Sequence, residues 1–303
     1  MTRRFSGLFT ALVTPFSEAG EIDWSALDRL LSKQLADGVD GIVVLGTTGE
    51  CPTVHGEEAE TLLRHVREGV GSMAQVIGGV SGNDTALAVT QAERAEAAGV
   101  DGLLVTCPYY NKPTQAGLLL HHRALAEAVS LPVLLYNIKG RTAVNLEAET
   151  IVRLAEVPNI VGIKEASTDM AHILSLMAAV PDDFSVLSGN DDMTLPIMAL
   201  GGAGVICTLS NLLPAAMKRL VEAGLDGDWE TARSEHNGLL PLMRGCGLET
   251  NPIPIKTALA WRGDIAPVFR APMCPMSEGP AAEWRQRLVA HGILADVAQD
   301  EAA

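Results

Sequence analysis

Lysine, tyrosine, threonine and arginine side chains stand at the ends of apolar runs in this chain, and together they describe amine chemistry on a carbonyl. Lys164 closes the run Ile160-Val161-Gly162-Ile163-Lys164 and is followed by Glu165-Ala166-Ser167. An amine carried into apolar surroundings has its ammonium form disfavoured, which frees the lone pair to attack a carbonyl and form a Schiff base. Taken alone, the segment reads more simply as a lysine at a strand end, reaching into water or pairing with Glu165. The catalytic reading needs partners elsewhere in the chain. Tyr136 follows Val133-Leu134-Leu135, and a phenol there could pass protons to and from a carbinolamine on a neighbouring strand, or simply pack in a core with its hydroxyl bonded to backbone. All three tyrosines, Tyr109, Tyr110 and Tyr136, lie at or just past the ends of such runs.

Thr47 and Thr48 sit between Gly46 and Gly49, a tight turn that can offer hydroxyls and amides to a carboxylate or can merely cap itself. Arg141 follows Gly140 in an expected loop; its planar fork suits a second carboxylate, although a solvated loop charge would look the same. Asp191-Asp192 is expected to cap the seventh helix, because no histidine or further carboxylate stands at ligand spacing. The seven histidines, His121-His122 among them, show no metal pattern and are assigned to helices and surface. No metal and no cofactor is expected.

These residues must be carried by repeating elements. Short β-branched runs at 8–14, 41–46, 75–80, 102–106, 132–137, 160–166, 185–190 and 203–208 alternate with helical stretches, recurring about every 25–30 residues, the scale of one βα unit. Ile42-Val43-Val44-Leu45 and Val133-Leu134-Leu135 are near-continuously apolar, as strands covered on both faces must be. Between them Leu27, Leu30, Leu31 and Leu35 form a helical stripe, and Asp84-Thr85 predicts the cap of a helix that runs to Ala98 and stops at Gly99. Eight such units predict a (β/α)8 TIM barrel over 1–224, with a C-terminal helical extension of about three helices over 225–303. A doubly wound sheet is disfavoured, because neither a dinucleotide fingerprint nor a Walker lysine follows the first strand. In a barrel the strand C-termini share one face, so the unusual residues converge there.

Composition removes several classes of function. A net charge of −15, with scattered Lys and Arg, leaves no footprint for nucleic acid or an anionic membrane. Five cysteines, odd in number and without a CxxC pair, argue against a disulfide framework or a zinc site and fit a reducing cytoplasm. Met1-Thr2-Arg3-Arg4-Phe5 has the charges of a signal peptide but no apolar core behind them, and no run approaches the length of a membrane span.

Gly46-Thr-Thr-Gly-Glu50, Pro108-Tyr-Tyr-Asn111, Tyr136-Asn137 with Arg141-Thr142, Gly162-Ile-Lys-Glu-Ala166, Ser188-Gly189, Gly204-Val-Ile206 and Asn251-Pro-Ile-Pro-Ile-Lys256 resemble, in order and over nearly the whole chain, the dihydrodipicolinate synthase and N-acetylneuraminate lyase family. The resemblance implies a pyruvate-dependent barrel enzyme, commonly a tetramer, with Lys164 as the Schiff-base lysine and Tyr136 as the proton donor and acceptor. It implies that Thr47 links Tyr136 to Tyr110 of a neighbouring subunit, and that Thr48 binds the pyruvate carboxylate. Gly189 and the Ile206 backbone would line the other side, and Arg141 would hold the carboxylate of the second substrate.

Arg141 resembles the synthase branch, whereas sugar-acid lyases carry small or hydroxyl residues there. The expected reaction therefore joins pyruvate to L-aspartate 4-semialdehyde, giving 4-hydroxy-tetrahydrodipicolinate in lysine and diaminopimelate biosynthesis. The nearest rival is a pyruvate-dependent aldolase, or lyase, of a 2-keto-3-deoxy sugar acid using the same Lys164 and Tyr136. A more distant one is a non-catalytic binding barrel. Lys139 stands where the family usually has Pro, which adds a cation and freedom to the segment that presents Arg141. Lysine-inhibited members resemble one another in His and Glu residues that correspond here to Gly56, Ala59 and Leu87, so inhibition by lysine is expected to be weak or absent.

Overall fold

The computed structural model describes residues 4–296. Met1-Thr2-Arg3, which open the reading of the N-terminus, and residues 297–303 of the expected extension lie outside the described residues. Each of the eight apolar runs overlaps a strand: β1 (Gly7–Ala11), β2 (Gly41–Val44), β3 (Gln75–Val80), β4 (Gly102–Thr106), β5 (Val133–Asn137), β6 (Ile160–Glu165), β7 (Ser185–Ser188) and β8 (Gly204–Cys207). They pair in sequence order and in parallel, and β8 returns to β1 to close the barrel. Several strands stop short of their apolar runs because the polar residues that follow leave the ladder for 3-10 turns, at Thr47–Gly49 after β2 and Asp191–Met193 after β7.

Around the barrel run α1 (Trp24–Ala36), α2 (Glu57–Val70), α3 (Thr85–Ala97), α4 (Gln115–Ala128), the one-turn α5 (Lys139–Thr142), α6 (Ala148–Ala155), α7 (Met170–Ala179), α8 (Thr194–Ala199) and α9 (Pro214–Leu225). Three further helices follow, α10 (Trp229–Gly245), α11 (Ile253–Arg262) and α12 (Glu278–Ala290). Carboxylates start several of them: Asp23 accepts from the Ala26 amide, Asp84 from Ala86 and Leu87, and Asp169 from Ala171 and His172. The fold is thus a (β/α)8 TIM barrel with a C-terminal helical part.

Strand alternation sorts the side chains into two layers. Leu8, Ile42, Val76, Leu103, Val133, Ile163 and Val205 face the helices, whereas Phe9, Val43, Ile77, Leu104, Leu134, Leu187 and Ile206 fill the barrel interior. Each fully buried aliphatic or aromatic side chain contributes roughly 1.5–3 kcal/mol. Closure between β8 and β1 is close enough to require glycine: Gly204 has φ +136°, and a Cβ there would lie 2.0 Å from the Gly7 carbonyl oxygen. The extension is anchored by the fully buried Trp284 of α12, whose indole N–H donates to the Pro254 carbonyl in α11 at 2.8 Å.

Candidate active site

Period two along β6 decides where Lys164 points. Ile163 belongs to the outer layer, so its successor turns into the barrel. Tyr136, on β5, is part of the interior layer and pairs in register with Lys164. The Lys164 Nζ lies 4.5 Å from the centre of the Tyr136 ring, with both residues buried, at 6 % and 4 % exposure. A lysine amine and a phenol therefore share the C-terminal mouth of the barrel. Burial pushes the thiols of Cys51 and Cys107 up, to about 11 and about 12, which keeps both in the thiol form.

Opposite them, the turn after β2 buries Thr48 and leaves Thr47 half-buried. Thr48 Oγ1 accepts from Asn251 Nδ2 at 2.8 Å. Arg141, expected in a loop, lies in the one-turn helix α5 that follows β5, exposed at the mouth, and its Nη2 donates to the Asn251 carbonyl at 3.0 Å. Lys139 opens the same turn and is exposed. On the far side, Gly189 follows β7, where a Cβ would come within 2.6 Å of Ala166 Cβ, and Ile206 lines the interior from β8. Tyr110 is 87 % exposed at φ +70°. Among the described residues, no side-chain hydrogen bond joins Tyr136, Thr47 and Tyr110, so one chain by itself unites Lys164 with Tyr136 and Thr48 with Arg141 but leaves that relay open.

Backbone strain is concentrated on the same face. The non-glycine residues at positive φ, Leu45, Glu50, Tyr110, Lys112 and Ala143, lie in the segments after β2, β4 and β5. Such conformations cost of order 1–3 kcal/mol each and persist only where surrounding structure holds them. At Glu50 the holding group is evident. Its carboxylate pairs with Lys256 Nζ at 2.5 Å, both side chains almost wholly buried, and accepts the Arg270 amide at 3.2 Å. Lys256 also lies over the Phe16 ring at 4.4 Å; burial pulls its pKa down and Glu50 pulls it back. Arg270 then forms a two-pronged pair with Glu58, both contacts at 2.6 Å. The extension thereby grips the loop that carries Thr47 and Thr48.

The chain matches the model of the dihydrodipicolinate synthetase family over residues 4–291. It belongs to this family. A relative from Koribacter versatilis named 4-hydroxy-tetrahydrodipicolinate synthase is 44% identical over 98% of this chain and 100% of its own length. The crystal structure of dihydrodipicolinate synthase from Aquifex aeolicus superposes with a TM-score of 0.94 at 41% identity, covering 96% of this chain and 100% of that one. The chloride-inhibited dihydrodipicolinate synthase of Acinetobacter baumannii, solved in complex with pyruvate, gives 0.93 at 37% identity, over 95% of this chain and 99% of that one.

In this family member several polar groups stand elsewhere than the sequence suggests. Asp191 does not cap α8, the helix that follows the seventh strand; its buried carboxylate accepts from the Thr208 and Leu209 amides at 3.0 and 2.7 Å, tying the ends of β7 and β8 together. Burial pushes that carboxyl up against those two bonds. The histidines are expected in helices and on the surface, and several of the helical ones are buried. His121, His122 and His236 are buried in helices, and desolvation drives His122 down to about 3. The signal was present, since His121 and His122 continue the Leu118, Leu119, Leu125 stripe of α4.

Glu165, considered as a partner for Lys164, faces the other way. It accepts from Asn137 Nδ2 at 3.0 Å and the Ser167 amide at 2.6 Å and lies 3.4 Å from His172 Nε2. Burial opposes its ionisation, but these neighbours hold its pKa below the ordinary carboxylate value. Gly56, Ala59 and Leu87 come together in one pocket of about 400 Å³ between α2 and α3.

Proposed function

We propose that this chain is a Schiff-base-forming synthase that condenses pyruvate with L-aspartate 4-semialdehyde to 4-hydroxy-tetrahydrodipicolinate, in the diaminopimelate route to lysine. The observation that carries this reading is the buried pair of amine and phenol, 4.5 Å from Nζ to ring centre, at the mouth of a barrel. Family membership and the activity in the relatives' names support it.

Lys164 Nζ attacks C2 of pyruvate. Tyr136 passes a proton to the carbinolamine oxygen, water leaves, and the imine forms. Loss of a methyl proton gives the enamine, whose carbon attacks the aldehyde while the aldehyde oxygen takes a proton. The amino group of the semialdehyde then adds to C2, closing the ring and expelling Lys164. Thr48 holds the pyruvate carboxylate, Gly189 and the Ile206 backbone line the opposite wall, and Arg141 holds the carboxylate of the semialdehyde. No metal or organic cofactor enters these steps.

The working form is read as a cytoplasmic homotetramer in which Tyr110, 87 % exposed in one chain, completes the Thr47 relay of a neighbouring copy. Free thiols at all five cysteines are in keeping with a reducing compartment. Lysine is expected to inhibit weakly or not at all, since Gly56, Ala59 and Leu87 stand where lysine-inhibited members carry His and Glu, and the His55 and Glu60 that line the same pocket occupy other positions; potent inhibition by micromolar lysine in a steady-state assay would refute this.

Borohydride reduction in the presence of pyruvate tests the chemistry, with an adduct mass expected on the Lys164 peptide. A chain that stays unlabelled is a binding barrel. Assay against aspartate semialdehyde and a panel of 2-keto-3-deoxy sugar acids then separates synthase from sugar-acid lyase. Arg141→Ala is expected to lose semialdehyde condensation, and full activity in that variant would remove the branch assignment.

A further inference from the structure

Asn251 touches both carboxylate-binding residues, and from opposite chemical directions. Its Nδ2 donates to Thr48 Oγ1 at 2.8 Å, and its backbone carbonyl accepts from Arg141 Nη2 at 3.0 Å. A hydroxyl has one proton to give and two lone pairs to receive with. When a lone pair of Thr48 is filled by an amide N–H, the proton is directed elsewhere, and among the described residues it has no protein acceptor. Thr48 is 2 % exposed, so little of it faces bulk water.

On the reading that Thr48 receives the pyruvate carboxylate, we propose that Asn251 is a positioning residue: its side chain fixes Thr48 as a hydrogen-bond donor to the pyruvate carboxylate, while its backbone carbonyl separately anchors Arg141. The two ends of one residue thus serve the two substrates, and only one end is sensitive to a side-chain change. Asn251 is held for this task by the element that follows it. Lys256, in α11, is paired with Glu50, next to the Thr47–Gly49 turn, so the extension and the turn are clamped at two adjacent points.

The amide has a second end, Oδ1, which is buried without a partner. Turned over, it would accept the Thr48 proton instead of directing it to substrate. Substitution by Asp distinguishes the two, because a carboxylate can only accept from Thr48 and adds a negative charge beside the pyruvate carboxylate.

The test is steady-state kinetics on wild type, Asn251→Ala and Asn251→Asp, with each substrate varied in turn. The pyruvate KM is expected to rise about threefold in the Ala variant and about tenfold or more in the Asp variant, the scale of one lost and one reversed hydrogen bond. The semialdehyde KM is expected to stay within about twofold in both, because the carbonyl that anchors Arg141 is backbone. A pyruvate KM in N251D equal to that of wild type overturns the proposal, and so does a parallel rise of both KM values. If N251D fails to fold, N251A is judged on the same split between the substrates. Borohydride trapping with saturating pyruvate is run alongside: labelled Lys164 in every variant keeps the underlying reading intact, whereas an unlabelled wild type defeats that reading first.

Discussion

The pair of Lys164 and Tyr136 makes the most direct demand on experiment at the scale of single residues. If the phenol moves protons and the amine forms the bond, Tyr136→Phe should lower kcat by about 10²- to 10⁴-fold, the usual span for loss of a general acid–base. Pyruvate should still be slowly trapped on Lys164 by borohydride; rapid turnover in the Phe variant would show that Tyr136 only packs. Glu165 and His172 make a different kind of demand, on pH. Burial disfavours the Glu165 carboxylate, yet its hydrogen bonds hold its pKa below 4.5, whereas the carboxylate beside it raises His172 above 6.5. The stability from Glu165 is present above about 4.5 and is lost as pH falls through its lowered folded value. That from His172 is complete below about 6.5 and is lost as pH rises through its raised folded value. The gap in urea stability between wild type and His172→Asn should therefore be widest near pH 4.5–6.5 and shrink on both sides; a gap that grows toward alkaline pH would contradict this.

Between elements, the decisive contact is the pair of Glu50 and Lys256, which joins the turn after β2 to α11 across the whole chain. Both side chains are about 1% exposed, so removal of one leaves an uncompensated buried charge, at a cost of about 3–5 kcal/mol. Glu50→Gln should show that loss in urea unfolding, and Glu50→Gln with Lys256→Met should recover much of it. Equal loss in the single and double variants would mean that the grip is packing rather than charge. Local pattern could not have found this contact. Glu50 follows Gly46-Thr-Thr-Gly49 as an ordinary turn residue, and Lys256 lies in a helix some two hundred positions later. Asn251 was likewise visible only as one letter of a motif, because its two bonds reach segments far from it in sequence. The strands and helices were legible, since a period of two or 3.6 is a property of neighbouring residues. Their C-terminal limits were less so, because residues such as Gly46 and Gly189 continue an apolar run while their backbone has already left the sheet.

For the whole molecule the question is whether the site is completed by a second copy. Tyr110 projects into solvent from a strained backbone position, where an isolated chain has no evident use for it. Subunits carrying Lys164→Ala and subunits carrying Tyr110→Phe, unfolded together and refolded, should give hybrids in which some sites draw an intact lysine from one copy and an intact phenol from another. Activity above the sum of the two separately refolded parents is the expected result. A simple sum would mean that each chain uses its own Tyr110.

The sequence alone determined the barrel, the number of its strands and the family. These follow from repeats of local pattern and from motifs that survive as contiguous text. Only the tertiary structure decided which way each polar group faces. It turned Lys164 inward onto Tyr136 and Glu165 outward onto His172 and Asn137. It buried His121 and His122, and it gave Asp191 to the amides after β8. It also brought Asn251 between Thr48 and Arg141. The physical reason is the same in each case: a buried donor or acceptor takes whichever partner the packing of distant segments brings within about 3 Å, and sequence spacing carries no record of that distance.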